Sequence, residues 1–465
     1  MSSPLSVIIL AAGLGTRMKS QKAKVLHRAG GKALVEHVVD AALKLTAANN
    51  IFVVVGHQAE MVKAVLAPRG VRFVFQEQQK GTGHAVMICA SQVPAQLGQV
   101  VVLYGDAPLL RVETLRRLCQ LQAETGVAAV AITTYLDDPT GYGRIVRNEQ
   151  GDVLAVVEQK AASSEQLQIR EINAGIYCFS APQLWKHLPE IQPNNPAGEY
   201  YLTDMVEILN RVGEKVSPLV VEDSTELLGI NNRIELAEAD RILRKRKAQE
   251  LMLAGVTIEK PDTVTIDLDV QIGADTVIEP FVRITGETVI GSECHLGACS
   301  IIHSSKLEDQ VQVLPFSMIS SSYVETGAQI GPYARLRLEN HVGAGAHIGN
   351  FVELKKTRLG RGAKAQHLAY LGDSTIGASV NIGAGTITCN YDGRAKHPTK
   401  IGEGAFIGSN STLVAPVEIG DGAYVGAGSV ITDEVPQDAL ALGRARQVLK
   451  EGWARKRREA NVSSD

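Results

Sequence analysis

Every sixth residue of the C-terminal half is aliphatic over three long runs. Counting in sixes from Ile266 meets only isoleucine or leucine as far as Ile302, and the same spacing runs over 324–354 and 401–431. An α-helix repeats its buried positions every ~3.6 residues and a strand every ~2 residues, so neither explains a persistent period of six. The period predicts a triangular parallel β-helix in which each face points one aliphatic side chain inward.

Glycine often follows the inward aliphatic residue, as at Gly273 and Gly343, where a sharp corner has no room for a large side chain. A hexad repeat of this kind is specific for a left-handed β-helix, an exception to the right-handed crossover rule. The register breaks at 303–310, 355–358 and 390–400, and these breaks predict loops that leave the coil. Loops on a rigid scaffold are common positions for functional residues.

The N-terminal half has a different pattern, in which short apolar runs alternate with helical periodicity. The runs are 7–10, 51–55, 71–75, 100–103 and 127–133, and the helical patterns include 33–45 and 112–124. This alternation predicts a Rossmann-like α/β domain with a mostly parallel sheet. We therefore expect an α/β domain over 1–231, a linker helix over 232–253 and a β-helix with a C-terminal tail over 254–465.

Charge and cysteine content exclude several classes of protein. The 47 basic and 50 acidic residues leave a net charge of −3, so nothing favours nucleic acid as a partner. No apolar stretch reaches the ~18 residues of a membrane span, and the first residues lack the basic segment of a signal peptide. The six cysteines form no CxxC pair, which favours reduced thiols and a cytoplasmic location. The basic clusters at 244–247 and 455–458 are interpreted as solvated helix faces.

A glycine-rich loop follows the first apolar run. It contains Gly13, Gly15 and Arg17, with Lys24 a few residues later, but it matches neither the dinucleotide fingerprint nor the P-loop. Glycines after a strand let backbone amides approach an anion, and the two cations would lie near a triphosphate. By itself this loop fits a structural tight turn equally well.

A second segment favours the phosphate interpretation. The run at 100–103 ends in Tyr104, Gly105 and Asp106. Ligands of open α/β sheets bind beyond the carboxyl ends of the strands, where a carboxylate can hold Mg²⁺ against phosphate oxygens. The alternative, that Asp106 only caps a helix or turn, is weakened by the neighbouring glycine-rich loop.

These segments resemble the sugar-1-phosphate nucleotidyltransferases. The stretch 10–18 with Lys24 is similar to their signature loop, and Gln76 with Gly81 and Thr82 is similar to their base-reading segment. Ala23 departs from the proline that is common there, which would only stiffen the loop. The resemblance continues through 141–144, Glu158, 171–175, 198–204 and 229–233.

The resemblance implies a site for UTP and an N-acetylated sugar phosphate. Asp106 and Asn231 would bind Mg²⁺, and Gln76 and Gly81 would read uracil, although either could also accept thymine. The implied binding residues are Leu10, Ala11, Ala12, Gly13, Lys24, Gln76, Gly81, Thr82, Tyr104, Gly105, Asp106, Gly143, Glu158, Asn173 and Asn231. A sugar-phosphate oxygen would attack the α-phosphorus of UTP and expel pyrophosphate, with Arg17 and Lys24 neutralising charge and no covalent nucleophile.

Polar residues gather where the hexad register falters. Arg337, Lys355 and Lys396 could neutralise a phosphate dianion. His367 could accept a proton from an amine that attacks an acyl group. A lone histidine in an apolar repeat is more often a structural residue, and the β-helix could be purely structural.

Segments 364–373 and 380–393, with Lys396, resemble the acetyltransferase half of a family of bacterial bifunctional enzymes that make UDP-N-acetylglucosamine. With the N-terminal half, the resemblance covers essentially all 465 residues. It implies His367 as general base and Arg337, Lys355, Tyr370, Asn381 and Lys396 as ligands of glucosamine-1-phosphate. It implies an acetyl-CoA site at Ala384, Asn390, Tyr391, Ser409, Ala427 and Arg444, and a homotrimer. Leu338 departs from the usual Arg-Leu-Arg-Pro pattern beside Arg337.

Two alternatives remain open from the sequence. One is a nucleotidyltransferase with a single activity and a structural β-helix. The other is a catalytically silent nucleotide-sugar sensor, against which the joint presence of Arg17, Lys24, Asp106 and Asn231 argues.

Overall fold

The computed structural model describes residues 5–93, 98–195 and 198–462. The chain forms two compact units, Met1–Arg246 and Lys247–Asp465. The division falls within the helix Arg233–Leu253, so the segment expected as a linker over 232–253 is divided between the two units.

The N-terminal unit contains a mixed sheet with helices between its strands. Its strands are β1 (Leu5–Leu10), β2 (Arg28–Ala29), β3 (Lys32–Ala33), β4 (Ile51–Val55), β5 (Arg72–Phe75), β6 (Gln99–Tyr104), β7 (Ala129–Tyr135), β8 (Arg144–Arg147), β9 (Val153–Val157), β10 (Glu171–Ser180) and β11 (Val216–Val220). Its helices are α1 (Leu34–Ala42), α2 (Ala59–Leu66), α3 (Thr82–Met87), α4 (Val112–Thr125), α5 (Ala181–His187), α6 (Asp204–Arg211) and α7 (Arg233–Leu253), which crosses the division.

The main sheet has the strand order β11-β7-β10-β6-β1-β4-β5. Strand β1 pairs in parallel with β4 and β6, β4 with β5, and β11 with β7. Strand β10 is antiparallel to both β6 and β7, and β8 joins it from outside this path. The mostly parallel α/β domain is confirmed, with one antiparallel strand inside the sheet.

Apolar side chains cover both faces of this sheet, because successive residues of a strand point to opposite sides. Val7 and Ile9 of β1 belong to the core cluster that includes residues of α1, α2 and α4. Ile8 belongs to the cluster on the other face, with residues of α5 and α6. Burial on both faces explains why the strands are continuous apolar runs and do not alternate with polar residues.

Within residues 257–441 the C-terminal unit is a parallel β-helix with three stacked sheets. The first sheet comprises Thr257–Ile258, Val277–Ile278, His295–Leu296, Gln312–Val313, Gln329–Ile330, His347–Asn350, Lys364–His367, Asn381–Ile382, Phe406–Ile407, Tyr424–Val425 and Leu440–Ala441. The second comprises Thr265–Ile266, Arg283–Thr285, Ile301–His303, Met318–Ser320, Arg335–Arg337, Glu353–Lys355, Tyr370–Gly372, Ile387–Cys389, Thr412–Val414 and Val430–Ile431. The third comprises Gln271–Ile272, Val289–Ile290, Lys306–Leu307, Ser322–Val324, Asn340–Val342, Arg358–Leu359, Ser374–Ile376, Thr399–Ile401 and Val417–Ile419.

The inward positions follow the hexad prediction. Ile266, Ile284, Ile302 and Leu336 are at most 1% exposed and share one continuous apolar core. Residues paired on adjacent coils are 17 or 18 positions apart in most of the β-helix, as for Ile302↔Ile319 and Ile284↔Ile302. The spacing is 25 positions where the 390–398 loop is inserted, as for Ser374↔Thr399. The β-helix predicted from the repeat is therefore confirmed.

Two of the three expected loops are wrong. Leu307 and Leu359 are buried inward residues that lie five positions after their predecessors, so the coil continues at 303–310 and 355–358 with one residue fewer. A corner can lose one residue without displacing the next inward side chain. The third loop is confirmed, because the segment between Cys389 and Thr399 leaves the coil and closes through a bridge between Tyr391 and Lys396.

The interpretation of 244–247 as a solvated helix face is wrong in part, because Lys247 is buried and Arg246 is half-buried. Arg244 pairs with Asp240 at 2.8 Å, Arg246 donates to the Leu109 carbonyl at 2.8 Å, and Lys247 pairs with Glu250 at 2.8 Å. The cluster at 455–458 lies on the exposed helix α8 (Trp453–Val462). In the described ranges no helix is both long and apolar enough to cross a membrane.

Candidate active sites

A cavity of about 380 Å³ lies at the carboxyl ends of β1 and β6. Ten of the fifteen residues expected to bind UTP and the sugar phosphate line it: Leu10, Ala11, Ala12, Gly13, Lys24, Gln76, Gly81, Thr82, Tyr104 and Asp106. Gln79 and Glu199 also line it and were not singled out from the sequence. The cavity is at the edge where ligands of open α/β sheets bind.

Strand register brings the glycine-rich loop and Asp106 together. Leu10 pairs with Tyr104 across β1 and β6, and the Gly105 amide donates to the Leu10 carbonyl at 2.9 Å. Gly15 has φ +63°, and a β-carbon there would lie 2.5 Å from the Lys24 Cβ. Glycine at this position therefore lets the chain return so that Lys24 reaches the cavity.

The Lys24 ammonium lies between two side-chain oxygen atoms that accept hydrogen bonds from it. It forms a short ion pair with Asp106 and donates to the Asn231 Oδ1 at 3.3 Å. The loop that carries Asn231 is tied to the same strand end, because the Ile230 amide donates to the Asp106 carbonyl at 2.9 Å. Asp106 and Asn231 therefore converge on one position that already holds a cation. The described residues contain no cluster of three or more His, Cys, Asp or Glu side chains suited to a metal.

Gln76 and Gly81 lie at another part of the same cavity. The Gln76 side chain is buried, and its amide nitrogen contacts the Gly81 carbonyl at 3.4 Å and the His84 Nδ1 at 3.0 Å. Gly81 has φ +103°, and a β-carbon there would lie 2.5 Å from the Tyr200 carbonyl oxygen. The two residues expected to read the base are therefore held together by tertiary contacts.

A second cavity, of about 500 Å³, contains Glu158, Tyr201, Asp204 and Glu207 in its lining. Burial and the neighbouring Glu207 and Glu158 carboxylates raise the pKa of Asp204 to about 6, and burial also raises the pKa of Glu158. Half-buried carboxyl groups of this kind can hydrogen-bond sugar hydroxyls. The sequence pointed to segment 198–204 but did not select Tyr201 or Asp204.

Gly143 lies beside Glu158, and Asn173 is hydrogen-bonded to Gly143. The backbone amide of Asn173 donates to the Gly143 carbonyl at 2.9 Å. A β-carbon at Gly143 would lie 3.4 Å from the Glu158 Oε1. Arg17 is placed differently, because it is exposed on the short helix Thr16–Met18 and does not line either cavity.

On the β-helix, Arg337 and Lys355 are paired on adjacent coils of the second sheet. Arg337 donates to Glu353 at 2.6 Å, and Lys355 donates to Asp373 at 2.8 Å. The neighbouring Lys355 lowers the pKa of Lys396, which lies on the 390–398 loop. The second sheet and the 390–398 loop thus gather three of the expected phosphate ligands.

Within one chain, Asn381 lies on a different sheet from Arg337 and Lys355. It lies on the first sheet, where it pairs with Lys364. His367 ends a strand of that first sheet, its imidazole is exposed, and the second sheet resumes at Tyr370. His367 therefore lies at the corner between the sheets that carry Asn381 and Lys355.

Four residues expected at the acetyl-CoA site continue from His367 along this corner. The pairing of Lys364 with Asn381 puts Ala384 one coil beyond His367. Built β-carbons at Gly383 and Gly408 would lie 2.5 Å from the Ser409 and Ala427 amides, and one at Gly428 would lie 3.7 Å from the Arg444 Cδ. We call His367, Ala384, Ser409, Ala427 and Arg444 the corner column. Tyr391 lies apart from it on the exposed 390–398 loop, where its hydroxyl donates to the Gly393 carbonyl at 2.8 Å.

These features define an α/β nucleotidyltransferase unit joined to a hexapeptide-repeat β-helix. The MobA-like NTP transferase domain family matches residues 7–188, and the bacterial transferase hexapeptide family (six repeats) matches 269–304 and 398–433. A protein of Solibacter usitatus named bifunctional protein GlmU is 61% identical over 459 residues, which are 99% of this chain and 98% of that protein. Proteins of the same name from Koribacter versatilis and Enterococcus faecalis are 50% and 47% identical, each with 97% of both chains covered. The chain belongs to the family of bifunctional GlmU proteins.

Membership of this family makes the chain an enzyme with two activities in the synthesis of UDP-N-acetylglucosamine. One transfers acetyl from acetyl-CoA to glucosamine-1-phosphate, and the other transfers uridylyl from UTP to N-acetylglucosamine-1-phosphate. The alternatives of a single activity and of a silent sensor do not agree with this membership.

Proposed function

We propose that uridylyl transfer takes place in the α/β cavity and acetyl transfer at the corner column of the β-helix. The observation that carries this proposal is the convergence of Asp106 and Asn231 on one cation position beside the glycine-rich loop. A nucleotide site needs positive charge held next to backbone amides that can approach phosphate.

In the α/β cavity, Lys24 is the cation best situated to neutralise the triphosphate. Gln76 and Gly81 would contact the base in the cavity at the ends of β1 and β6. Glu158, which lines the second cavity, would hold the sugar and ribose together with Gly143 and Asn173. Arg17 would supply a second positive charge from the loop that carries Gly13. The sugar-phosphate oxygen then attacks the α-phosphorus in line, the bond to the β-phosphate bridging oxygen breaks, and pyrophosphate leaves.

Asp106 and Asn231 fit a magnesium ion. Both present oxygen atoms to a point that a cation can occupy, and Mg²⁺ is commonly held by one or two protein oxygens together with substrate phosphates. A bound Mg²⁺ would neutralise charge on the phosphate oxygens. Lys24 would keep the two donors together before substrate binds.

On the β-helix, Arg337, Lys355, Tyr370, Asn381 and Lys396 would bind glucosamine-1-phosphate. His367 would take the proton from the amine as the amine nitrogen attacks the thioester carbonyl carbon, and coenzyme A leaves as the carbon–sulfur bond breaks. Acetyl-CoA would follow the corner column and contact Asn390 and Tyr391. A free thiol and an N-acetyl group are the products.

We also propose a homotrimer formed through the β-helix. Phe316, Tyr333 and Phe351 stack along one corner with ring centroids 5.0 and 5.3 Å apart, although each is about half exposed, and Leu368 continues the row beside His367. We call these four residues the apolar ladder. Neighbouring apolar side chains left to solvent favour an interface, and a second copy could bring Asn381 of one chain to Lys355 of another.

Phe351→Asn is expected to weaken self-association by about tenfold or more, because it removes a large apolar side chain from the centre of the ladder. Phe351 has φ +55°, and asparagine tolerates that conformation, so the fold should be kept. Sedimentation velocity measures the association, and Phe75→Ser, at an exposed residue of the other unit, is the control. A trimer of unchanged stability would exclude the ladder from the interface.

A cytoplasmic location is proposed from the cysteines. All six lie in described segments as free thiols, and burial raises the pKa of Cys89 to about 12. Thiols in this state fit a reducing compartment.

The test of the proposed function follows both products from one preparation of the full chain. Release of free thiol from acetyl-CoA is expected only when glucosamine-1-phosphate is present. Release of pyrophosphate from UTP is expected only with N-acetylglucosamine-1-phosphate and Mg²⁺. Thiol release that does not depend on glucosamine-1-phosphate would contradict the assignment of acetyl transfer. Pyrophosphate release that does not depend on Mg²⁺ would contradict the assignment of uridylyl transfer.

A further inference from the structure

Asp373 joins the two parts of the acetyl-transfer site. Its Oδ2 accepts a hydrogen bond from the Lys355 ammonium at 2.8 Å and a short one from the Asn390 side-chain amide. Lys355 is proposed above to bind the sugar phosphate, and Asn390 to bind acetyl-CoA. One carboxylate oxygen therefore contacts one residue from each substrate site.

The backbone of Asp373 is held by the coils on both sides. Its amide donates to the Lys355 carbonyl at 2.8 Å, and its carbonyl accepts from the Thr399 amide at 3.2 Å. Its φ is +50°, a conformation that aspartate and asparagine tolerate better than most residues. The carboxylate position is thus determined by the main chain and does not depend on the 390–398 loop alone.

The charges around Asp373 explain why a carboxylate is needed there. The Lys355 side chain is 4% exposed, and a buried cation requires a partner. Burial acts to lower the pKa of Lys355, but the hydrogen bond to Asp373 contributes to a net rise. Lys396 lies next to Lys355, and its pKa is lowered by that neighbour.

Packing leaves these side chains little freedom to rearrange. A β-carbon at Gly372 would lie 2.5 Å from the Tyr370 hydroxyl and 2.7 Å from the Asn390 amide nitrogen. Tyr370 and Asn390 therefore close over Gly372, with Asp373 and Lys355 alongside. Loss of the Asp373 carboxylate should therefore weaken the binding of both substrates.

We propose that Asp373 is a positioning residue for acetyl transfer, which holds Lys355 and Asn390 in the arrangement that accepts glucosamine-1-phosphate and acetyl-CoA together. This inference rests on the proposed roles of Lys355 and Asn390.

Asp373→Asn keeps the shape and the left-handed backbone but removes the charge. Loss of a charged hydrogen-bond partner should lower kcat/KM for glucosamine-1-phosphate by about tenfold or more and also raise the KM for acetyl-CoA. The charged and titratable groups that act on Lys355 are Asp373, Tyr370 and Lys396, with Lys356 acting on Lys396. Burial lowers the pKa of Lys355, and Asp373 opposes that effect by its hydrogen bond and its charge. Without Asp373 the pKa of Lys355 should fall, so the alkaline limb of kcat/KM should move down by about one pH unit.

Glu353→Gln is the matched control. It removes a carboxylate from Arg337, another proposed phosphate ligand, but arginine does not lose its proton in this range. Its alkaline limb should therefore stay in place whatever happens to KM. Uridylyl transfer by the same preparation reports whether the Asp373→Asn protein is intact.

A double-variant cycle tests the link to acetyl-CoA. If Asp373 acts through Asn390, Asn390→Ala and Asp373→Asn/Asn390→Ala should show the same KM for acetyl-CoA. Additive effects would overturn the coupling between the two substrate sites, and an unchanged alkaline limb in Asp373→Asn would overturn the positioning role.

Lys355→Met separates failure of this inference from failure of the proposed function. If Lys355→Met leaves the KM for glucosamine-1-phosphate unchanged, the proposed role of Lys355 is wrong and the inference falls with it. If Lys355→Met raises that KM while Asp373→Asn has no effect, only the positioning role is overturned.

Discussion

Asp106→Asn is expected to lower Mg²⁺-dependent pyrophosphate release by about 10²- to 10³-fold and to leave acetyl transfer unchanged. The substitution keeps the size of the side chain but removes the carboxylate that contacts Lys24. Lys24 then loses its ion-pair partner, and the position on which Asp106 and Asn231 converge loses its negative charge. The rate of pyrophosphate release, measured with UTP and N-acetylglucosamine-1-phosphate over a range of Mg²⁺ concentrations, gives the effect.

The matched control for this substitution is Asp137→Asn. Asp137 is fully exposed and pairs with Arg170, and neither residue lines either cavity, so both activities should be retained. Equal loss of acetyl and uridylyl transfer in Asp106→Asn would contradict separate sites. Full pyrophosphate release at every Mg²⁺ concentration would contradict the proposed role of Asp106.

The second large effect is expected for His367→Ala. Removal of a general base should lower kcat for acetyl transfer by about 10²- to 10⁴-fold. The KM for glucosamine-1-phosphate should change little, because Arg337, Lys355 and Lys396 remain. Free-thiol release from acetyl-CoA across pH measures kcat, and pyrophosphate release in the same preparation should stay at the level of the unmodified protein.

His347→Ala is the control for His367→Ala. His347 lies on the same sheet, where it pairs with Lys364 of the strand that ends in His367, so it shares the scaffold but not the corner column. Its loss should leave acetyl transfer near normal. Full acetyl transfer by His367→Ala at every pH would contradict the general-base role and favour deprotonation of the amine by solvent.

The hexad repeat was sufficient to predict the β-helix because each inward position is a local requirement. Ile266, Ile284 and Ile302 each point into the core of one coil, and every following coil needs an apolar side chain at the equivalent position. The same reasoning could not tell a loop from a shortened corner. Leu307 and Leu359 remain inward after the loss of one residue, which depends on how the neighbouring coils stack.

The sequence predicted which segments form the strands of the α/β sheet, but it did not predict the direction of every strand. Continuous apolar runs indicated strands buried on both faces, and β1, β4 and β6 are indeed parallel neighbours. Strand β10 runs antiparallel between β6 and β7. Its apolar pattern is compatible with either direction. The direction of a strand depends on the end of the sheet at which the preceding connection enters it.

Some features of the candidate sites could likewise be predicted from the sequence, and others could not. The glycine-rich loop and Asp106 each follow a strand, so their approach could be predicted from parallel topology. Lys24 and Asn231 are 207 residues apart in the sequence, and only the resemblance placed Asn231 in this site; their hydrogen bond is seen only in the structure. Asp373 was not selected, although it follows Lys355 by 18 residues and precedes Asn390 by 17, which are the lengths of one coil.

The sequence by itself determined the two architectures and the order of the units, because periodicity and strand-end motifs are local. Through the resemblance it also selected ten of the residues that line the cavity at the carboxyl ends of β1 and β6. The tertiary structure alone decided that Asn381 and Lys355 lie on different sheets, that Arg17 stays outside the cavity and that one carboxylate contacts Lys355 and Asn390. Those relations depend on the stacking of coils and the return of loops, where side chains distant along the chain come within hydrogen-bond distance.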